Sequence, residues 1–235
     1  RPLLQRLSLS APCTYAHTIA IANLAEAACR AIGANALLAR VGAYYHDIGK
    51  LANPQYFDEN QPRDRNLHDK LKPSTSAGII RNHVREGLEL ADAERVPKSI
   101  RAFIAEHHGT GTISYFLEKA RERDGVIGNP TEFTYPGPVP QSAETAVVML
   151  ADGAEAATRA LADPTPDRIR EVIENVVRQR LEQGQLRDAP LTMRQLGVVK
   201  REFARVLGGM YHGRVDYPTS TPPPTSAPAT GAISR

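Results

Sequence analysis

The sequence predicts an all-α protein. Apolar residues recur at helical spacing in one segment after another. Most of these segments are bounded by capping residues, glycine or proline. No stretch shows the alternation expected of a half-buried strand. With 235 residues, 41% of them apolar, the chain can bury a sizeable core.

Residues 14–32, TYAHTIAIANLAEAACRAI, place Ile19, Leu24, Ala28 and Ile32 on one buried side. Ser10 or Thr14 is the expected N-cap, and Gly33 the left-handed terminator. Asn35 caps a second helix over 36–47, which runs into HDIGK, with Gly49 as its expected stop. Residues 51–75 hold Pro54, Pro62, Pro73 and many charges, and read as a long loop with short turns. Loops of this length inside a compact domain are often functional.

Ser74 opens a helix reaching about residue 92. Pro97 starts another in its first turn, and Gly109 stops it. Residues 113–123 read as helical. Residues 128–141, GNPTEFTYPGPVPQ, form a second loop that is exposed or lid-like. Helix 142–161 follows, Pro164 and Pro166 separate it from helix 167–183, and Thr192 caps a last helix to about 212. The expectation is about eight helices around one core, with the Pro-rich loops over one face. The domain is residues 1–217. The Pro/Ser/Thr-rich tail 218–235 has little to bury and is expected to be disordered.

Composition removes several functions. Trp is absent and aromatics are sparse, which argues against a stacking platform for single strands. A net charge of +3, from 29 basic and 26 acidic residues, is too weak for a duplex-binding surface, so neither DNA nor RNA is expected as a partner. Cys13 and Cys29 form no metal or disulfide framework, and a reducing compartment is the default. No segment reads as a membrane span or signal peptide. The chain begins with Arg1, so it is expected to be part of a longer protein.

The chemistry lies in the histidines. His17, His46, His83, His107 and His108 fall on helices, or helix ends, that also carry core residues. One such histidine is an ordinary hydrogen-bonded core group. Five together point to neutral imidazoles serving as ligands for a transition metal. His46-Asp47 supplies an imidazole beside a carboxylate whose two oxygens can bridge two cations. His107-His108 supplies two imidazoles, but adjacent helical residues diverge by about 100°. They reach one ion only if it lies between those directions, or if the helix end loosens. Asp152 interrupts the apolar run AVVMLADGAEAA, where a carboxylate needs a cation or a donor.

Lys50, three residues after Asp47, offers positive potential to a phosphate without ligating metal. Arg63, Arg65, Lys70, Lys72, Arg81 and Arg85 lie near these motifs in sequence. Some are candidates for substrate phosphate and the rest are surface charges. His68 sits in the polar stretch DRNLHDK and reads as a surface or lid residue, and His212 has no clear partner. No nucleophile elbow, P-loop or dinucleotide signature is present.

The order His17, His46-Asp47, His83, His107-His108, Asp152 resembles the HD-domain metal-dependent phosphohydrolases. AYYHDIGKLANPQYFDENQ, EHHGTGTISYFLEKA and YPGPVPQSAETAVVMLADGAEAATR are similar to the cytoplasmic domain of the seven-transmembrane-receptor HD proteins, a family of cyclic di-AMP phosphodiesterases. The resemblance implies a compact helical HD domain. One metal would be held by His17, His46, Asp47 and Asp152. Asp47 would bridge to a second, held also by His83, His107 and His108. Iron or manganese is the implied pair, and a metal-activated bridging hydroxide would open cyclic di-AMP to linear pApA, with Lys50 beside the phosphate. The implied parent is a multi-pass membrane protein with this domain on the cytoplasmic face, and a homodimer is compatible with it.

The cyclic di-GMP branch shares HDIGK, but the Gly-Tyr-Pro motif is missing after His108. Only Tyr135-Pro136-Gly137 occurs, elsewhere and in another order. Guanosine tetraphosphate hydrolases use an HD pair with generally one metal and fewer histidines. Cyclic di-GMP and guanosine tetraphosphate remain alternative substrates. A non-catalytic cyclic-dinucleotide sensor and a purely structural helical module are the competing non-enzymatic readings.

Overall fold

The computed structural model describes residues 2–61, 66–125 and 129–211. Arg63, Arg65, His212 and the tail 218–235 lie outside the described residues. Among those described, nine α-helices carry the fold: α1 Pro2–Ser10, α2 Pro12–Ile32, α3 Ala36–Tyr45, α4 Pro73–Ala93, α5 Lys98–Glu106, α6 Ser114–Asp124, α7 Ala143–Arg159, α8 Pro166–Glu182 and α9 Met193–Tyr211. The one β-type pairing among them is an isolated bridge between Thr112 and Thr134. The all-α expectation holds.

Helix α2 is the central element, packed against α3, α7 and α9. Its inward face is largely small, with Ala22, Ala25 and Ala28 fully buried beside Ile21 and Leu24. Small side chains let neighbouring helices approach closely. Met149, Leu150, Phe103 and Phe203 fill the volume left between them. A second cluster, Leu3, Tyr45, Ile48, Val96, Ile100 and Ile104, ties α1 and α5 to the turn after α3. A third, Ala77, Phe116, Ala120 and Phe133, holds α6 against α4.

Several boundaries follow the sequence signals. Gly33 ends α2 at φ 78, where a side chain would be strained. Asn35 Oδ1 accepts from Leu38 N at the start of α3, and Ser142 and Thr145 form a reciprocal capping box on α7. Others differ. α1 is an additional helix. α2 has no side-chain cap at all, because Pro12 occupies its first turn and Ala11 its N-cap. α4 starts at Pro73 for the same reason.

Helix α3 stops at Tyr45, before His46-Asp47, and α5 stops at Glu106, before His107-His108. Both candidate ligand pairs therefore sit where the α-helix has just ended. The loop 51–61 is built of short 3-10 turns, Pro54–Tyr56 and Asp58–Asn60 among them.

Candidate metal centre

Gly49 does not terminate α3. It lies in the 3-10 turn Ile48–Ala52, pressed on α4 so closely that a Cβ would stand 1.7 Å from the His83 carbonyl oxygen. Only glycine permits that approach. The contact brings Asp47 beside His83, which is distant in sequence. The loosened end of α5 lets His107 and His108 turn together, with ring centroids 4.0 Å apart. The angular conflict between adjacent helical residues is relieved in this way.

All seven predicted ligands come together in two groups: Asp47, His83, His107 and His108, and His17, His46 and Asp152. Asp47 stands between the groups. Its Oδ2 lies 3.2 Å from His46 Nε2 and 3.8 Å from His17 Nε2. Its Oδ1 lies 3.5 Å from His83 Nε2 and 3.6 Å from His107 Nε2. Asp152 Oδ1 is 3.1 Å from His17 Nε2, and its Oδ2 is 3.8 Å from His108 Nδ1.

The hydrogen bonds fix which nitrogen is free. Nδ1 of His46 donates to Ala43 O at 2.7 Å, that of His83 to Ile80 O at 2.6 Å, and that of His107 to Ile104 O at 2.9 Å. A carbonyl oxygen only accepts, so in the neutral rings Nε2 carries the lone pair. His83 and His107 then aim lone pairs at each other across 3.1 Å, and both aim at Asp47 Oδ1. His46 Nε2 and both Asp47 oxygens are buried without a hydrogen bond of good geometry. Acceptors facing acceptors in a buried site repel unless a cation lies among them. This donor set fits two cations.

Lys50 is buried, and its ammonium lies 2.8 Å from Asp47 Oδ2 and 2.7 Å from Glu59 Oε1. Burial would lower its pKa, but the two carboxylates more than reverse that and hold it above the ordinary lysine value. Burial would likewise raise the Asp47 pKa, yet the Lys50 ammonium at 2.8 Å helps to keep it well below the usual carboxylate range. Burial, aided by His107 and Lys50, pushes His83 down to about 3 against the attraction of Asp47.

A model of the HD domain family matches residues 14–157. The chain belongs to the HD-domain family. This HD domain is 43% identical over 220 residues to the cyclic-di-AMP phosphodiesterase PgpH of Bacillus subtilis, covering 94% of the chain and 31% of that protein. It is 39% identical over 217 residues to PgpH of Listeria monocytogenes, covering 92% and 30%. The chain thus spans about a third of the curated relatives it matches. The crystal structure of the L. monocytogenes PgpH HD domain in complex with cyclic-di-AMP superposes with a TM-score of 0.87 at 39% identity. The match covers 92% of this chain and all of that one, 100%.

Three residues of this HD domain join the site without having been singled out in the sequence. Glu155 Oε2 accepts from His17 Nδ1 at 2.7 Å. Glu59 joins Lys50 to Thr14, whose hydroxyl donates to Glu59 Oε1 at 2.9 Å. Tyr135 stacks on His108 with centroids 4.2 Å apart. Tyr135 brings the second Pro-rich loop over the centre, held by Tyr135 N donating to Gly111 O. Phe57, from the first loop, meets His83 edge-on. The described parts of both Pro-rich loops thus reach the histidines of the centre through Phe57 and Tyr135.

Other candidates fall elsewhere. Arg85 pairs with Glu89 on the exposed side of α4, and Arg81 donates to Thr131 O. His68 is not a surface residue. It is buried between Tyr56 and Phe116, donating Nε2–H to Tyr56 O, because partners distant in sequence enclose its polar segment. Cys13 is exposed and Cys29 buried, and both are free. A cavity of about 700 Å³ opens beside the centre, lined by His17, Cys13, Asp58, Glu59, Glu155 and Arg159.

Proposed function

We propose that this domain is a two-metal phosphodiesterase that opens cyclic di-AMP to linear pApA. The observation that carries the reading is the position of Asp47, with one oxygen facing His17 and His46 and the other facing His83 and His107. In this reading His17, His46 and Asp152 hold one ion, and His83, His107 and His108 hold the other. Asp47 is shared, and iron or manganese are the metals. A paired centre of this kind lowers the pKa of a water and polarises phosphoryl oxygens.

The residues of the chain supply the rest. The buried carbonyl and carboxylate partners of the imidazoles fix their orientation, so no reorganisation is needed when charge develops. Lys50 donates to Glu59 and sets its ammonium 2.8 Å from Asp47 Oδ2, which would place positive charge beside a phosphoryl oxygen bound there. The cavity along His17 has the size of a small-molecule site and gives room to a nucleotide flanking the phosphate.

The choice of cyclic di-AMP is supported by the PgpH relatives, two of which carry that activity in their names. The resemblance of the HDIGK and EHHGTG segments to the seven-transmembrane-receptor HD proteins is what supports a parent protein anchored in a membrane with this domain on the cytoplasmic face, and a homodimer is compatible with it. Among the described residues, no helix is long and apolar enough to cross a membrane.

The test is a panel. Protein of defined metal content is given cyclic di-AMP, cyclic di-GMP and guanosine tetraphosphate in parallel, and the products are separated. Linear pApA as the dominant product supports the reading. Turnover of another nucleotide with cyclic di-AMP left intact removes the substrate assignment. Tight binding of cyclic di-AMP with no product makes the domain a sensor.

A further inference from the structure

His17 is held differently from the other histidines of the centre. His46, His83 and His107 each donate Nδ1–H to a neutral backbone carbonyl a single turn earlier in the chain. His17 donates instead to a carboxylate, Glu155 Oε2, at 2.7 Å. The Glu155 side chain is only 8% exposed. A carboxylate in an ordinary surface pair leaves its oxygens in water. Here one oxygen is committed to His17, and the other lies 4.0 Å from the half-exposed Arg159.

Glu155 follows Asp152 by three residues on α7, so the two carboxylates share a helix face. They grip His17 from both ends: Asp152 at Nε2, Glu155 at Nδ1. The two halves of the centre are therefore charged unequally. The first has Asp152, Glu155 and one oxygen of Asp47. The second has three imidazoles and the other oxygen of Asp47. Lys50 adds a positive charge on the first side, but Glu59 offsets it at 2.7 Å.

We propose that Glu155 is a positioning residue that makes the His17–His46–Asp152 site the tighter of the two. It fixes the His17 ring with Nε2 turned inward, and its charge makes that nitrogen a stronger donor. The first ion then loads ahead of the second, which enters against the charge of its neighbour. This inference rests on the two-ion reading.

Mn2+ is the probe, because free Mn2+ gives a sharp electron paramagnetic resonance signal that bound ion loses. The wild-type protein shows two binding steps. Glu155→Gln and Glu155→Ala weaken the tighter step about 10–100-fold, the usual effect of losing such a partner, and leave the weaker step within about twofold. The affected step is the one lost in His17→Asn and kept in His83→Asn. In a His17→Asn background, Glu155→Gln has no further effect, because it acts through that ring.

Wild-type steps unchanged by both Glu155 variants overturn the proposal. So do equal losses at both steps, or a further loss of Mn2+ binding when Glu155→Gln is added to His17→Asn. Wild-type protein that takes up fewer than two Mn2+ overturns the paired-site reading itself, before any variant is compared. The Arg159→Gln control is expected to leave both steps in place.

Discussion

His83 Nε2 and His107 Nε2 face each other across 3.1 Å, each with its Nδ1 donating to a carbonyl. In neutral rings both facing nitrogens carry lone pairs, so this contact is repulsive without a cation. Removing metal with a chelator should therefore lower the melting temperature, and returning Mn2+ should restore it. One ion at 100 times its dissociation constant contributes about 2.7 kcal/mol. A melting temperature indifferent to chelator and to added metal contradicts the donor assignment.

Asp47 is the shared carboxylate, so its replacement acts on both ions at once. Asp47→Asn should abolish stabilisation by metal and reduce turnover by at least about 10²-fold, the scale of losing one preorganised electrostatic group. The metal-free variant should also lose some stability, because the ionised Asp47 carboxylate faces the buried Lys50 ammonium at 2.8 Å. Glu59 limits that loss by remaining as a partner of Lys50. Calorimetry of both proteins with and without metal checks this. Stabilisation by added metal that survives in Asp47→Asn would mean that Asp47 does not hold the ions.

Gly49→Ala tests how the centre is assembled. Its Cβ would stand 1.7 Å from the His83 carbonyl oxygen and 2.5 Å from Gly87 N. Overpacking costs about 1–3 kcal/mol, and a clash with backbone on both sides places this change at the upper end. Denaturant melts should show that loss, and metal binding should weaken because Asp47 and His83 are forced apart. Wild-type stability and metal affinity in this variant would contradict the close packing of the turn on α4.

Much of this centre was legible in the sequence, and the exceptions share a cause. The seven candidate ligands stood out because imidazoles and carboxylates recur beside core positions, and Gly33, Asn35 and Ser142 mark their helix ends by local chemistry. Glu155 was not legible. In ADGAEAA it reads as a solvent-facing helix residue, and its one signal was the i,i+3 spacing from Asp152. Gly49 looked like a helix stop because its real reason, the backbone of α4, lies more than thirty residues away. α1 is only nine residues long, and Leu3 and Leu7 alone carry its buried face. Local periodicity and capping show in sequence, whereas contacts between distant elements do not.

The metal-free protein should also show a distinctive pH profile. Burial would lower the His17 pKa, but the bonds to Asp152 and Glu155 outweigh it and raise it to about 10. Its proton therefore stabilises the fold fully below pH 6.5, and that contribution is lost as pH rises through about 10. His83 behaves oppositely, since its folded pKa falls to about 3. Between pH 6.5 and about 3 the unfolded chain binds a proton that the folded site refuses, so stability falls as pH falls. Chemical denaturation across pH should show His17→Gln flattening the alkaline limb and His83→Gln the acid limb. Slopes unchanged in both variants would contradict these assignments.

The most direct measurement is pApA formation from cyclic di-AMP as a function of metal bound per chain. Metal-free protein is loaded stepwise with Mn2+ or Fe2+, and product is followed in a single turnover at each loading. The two-ion account predicts negligible pApA while only the first site fills, then a rise in step with the second ion, and none at any loading in Asp47→Asn. Full turnover at one ion per chain, or in the metal-free protein, would contradict it.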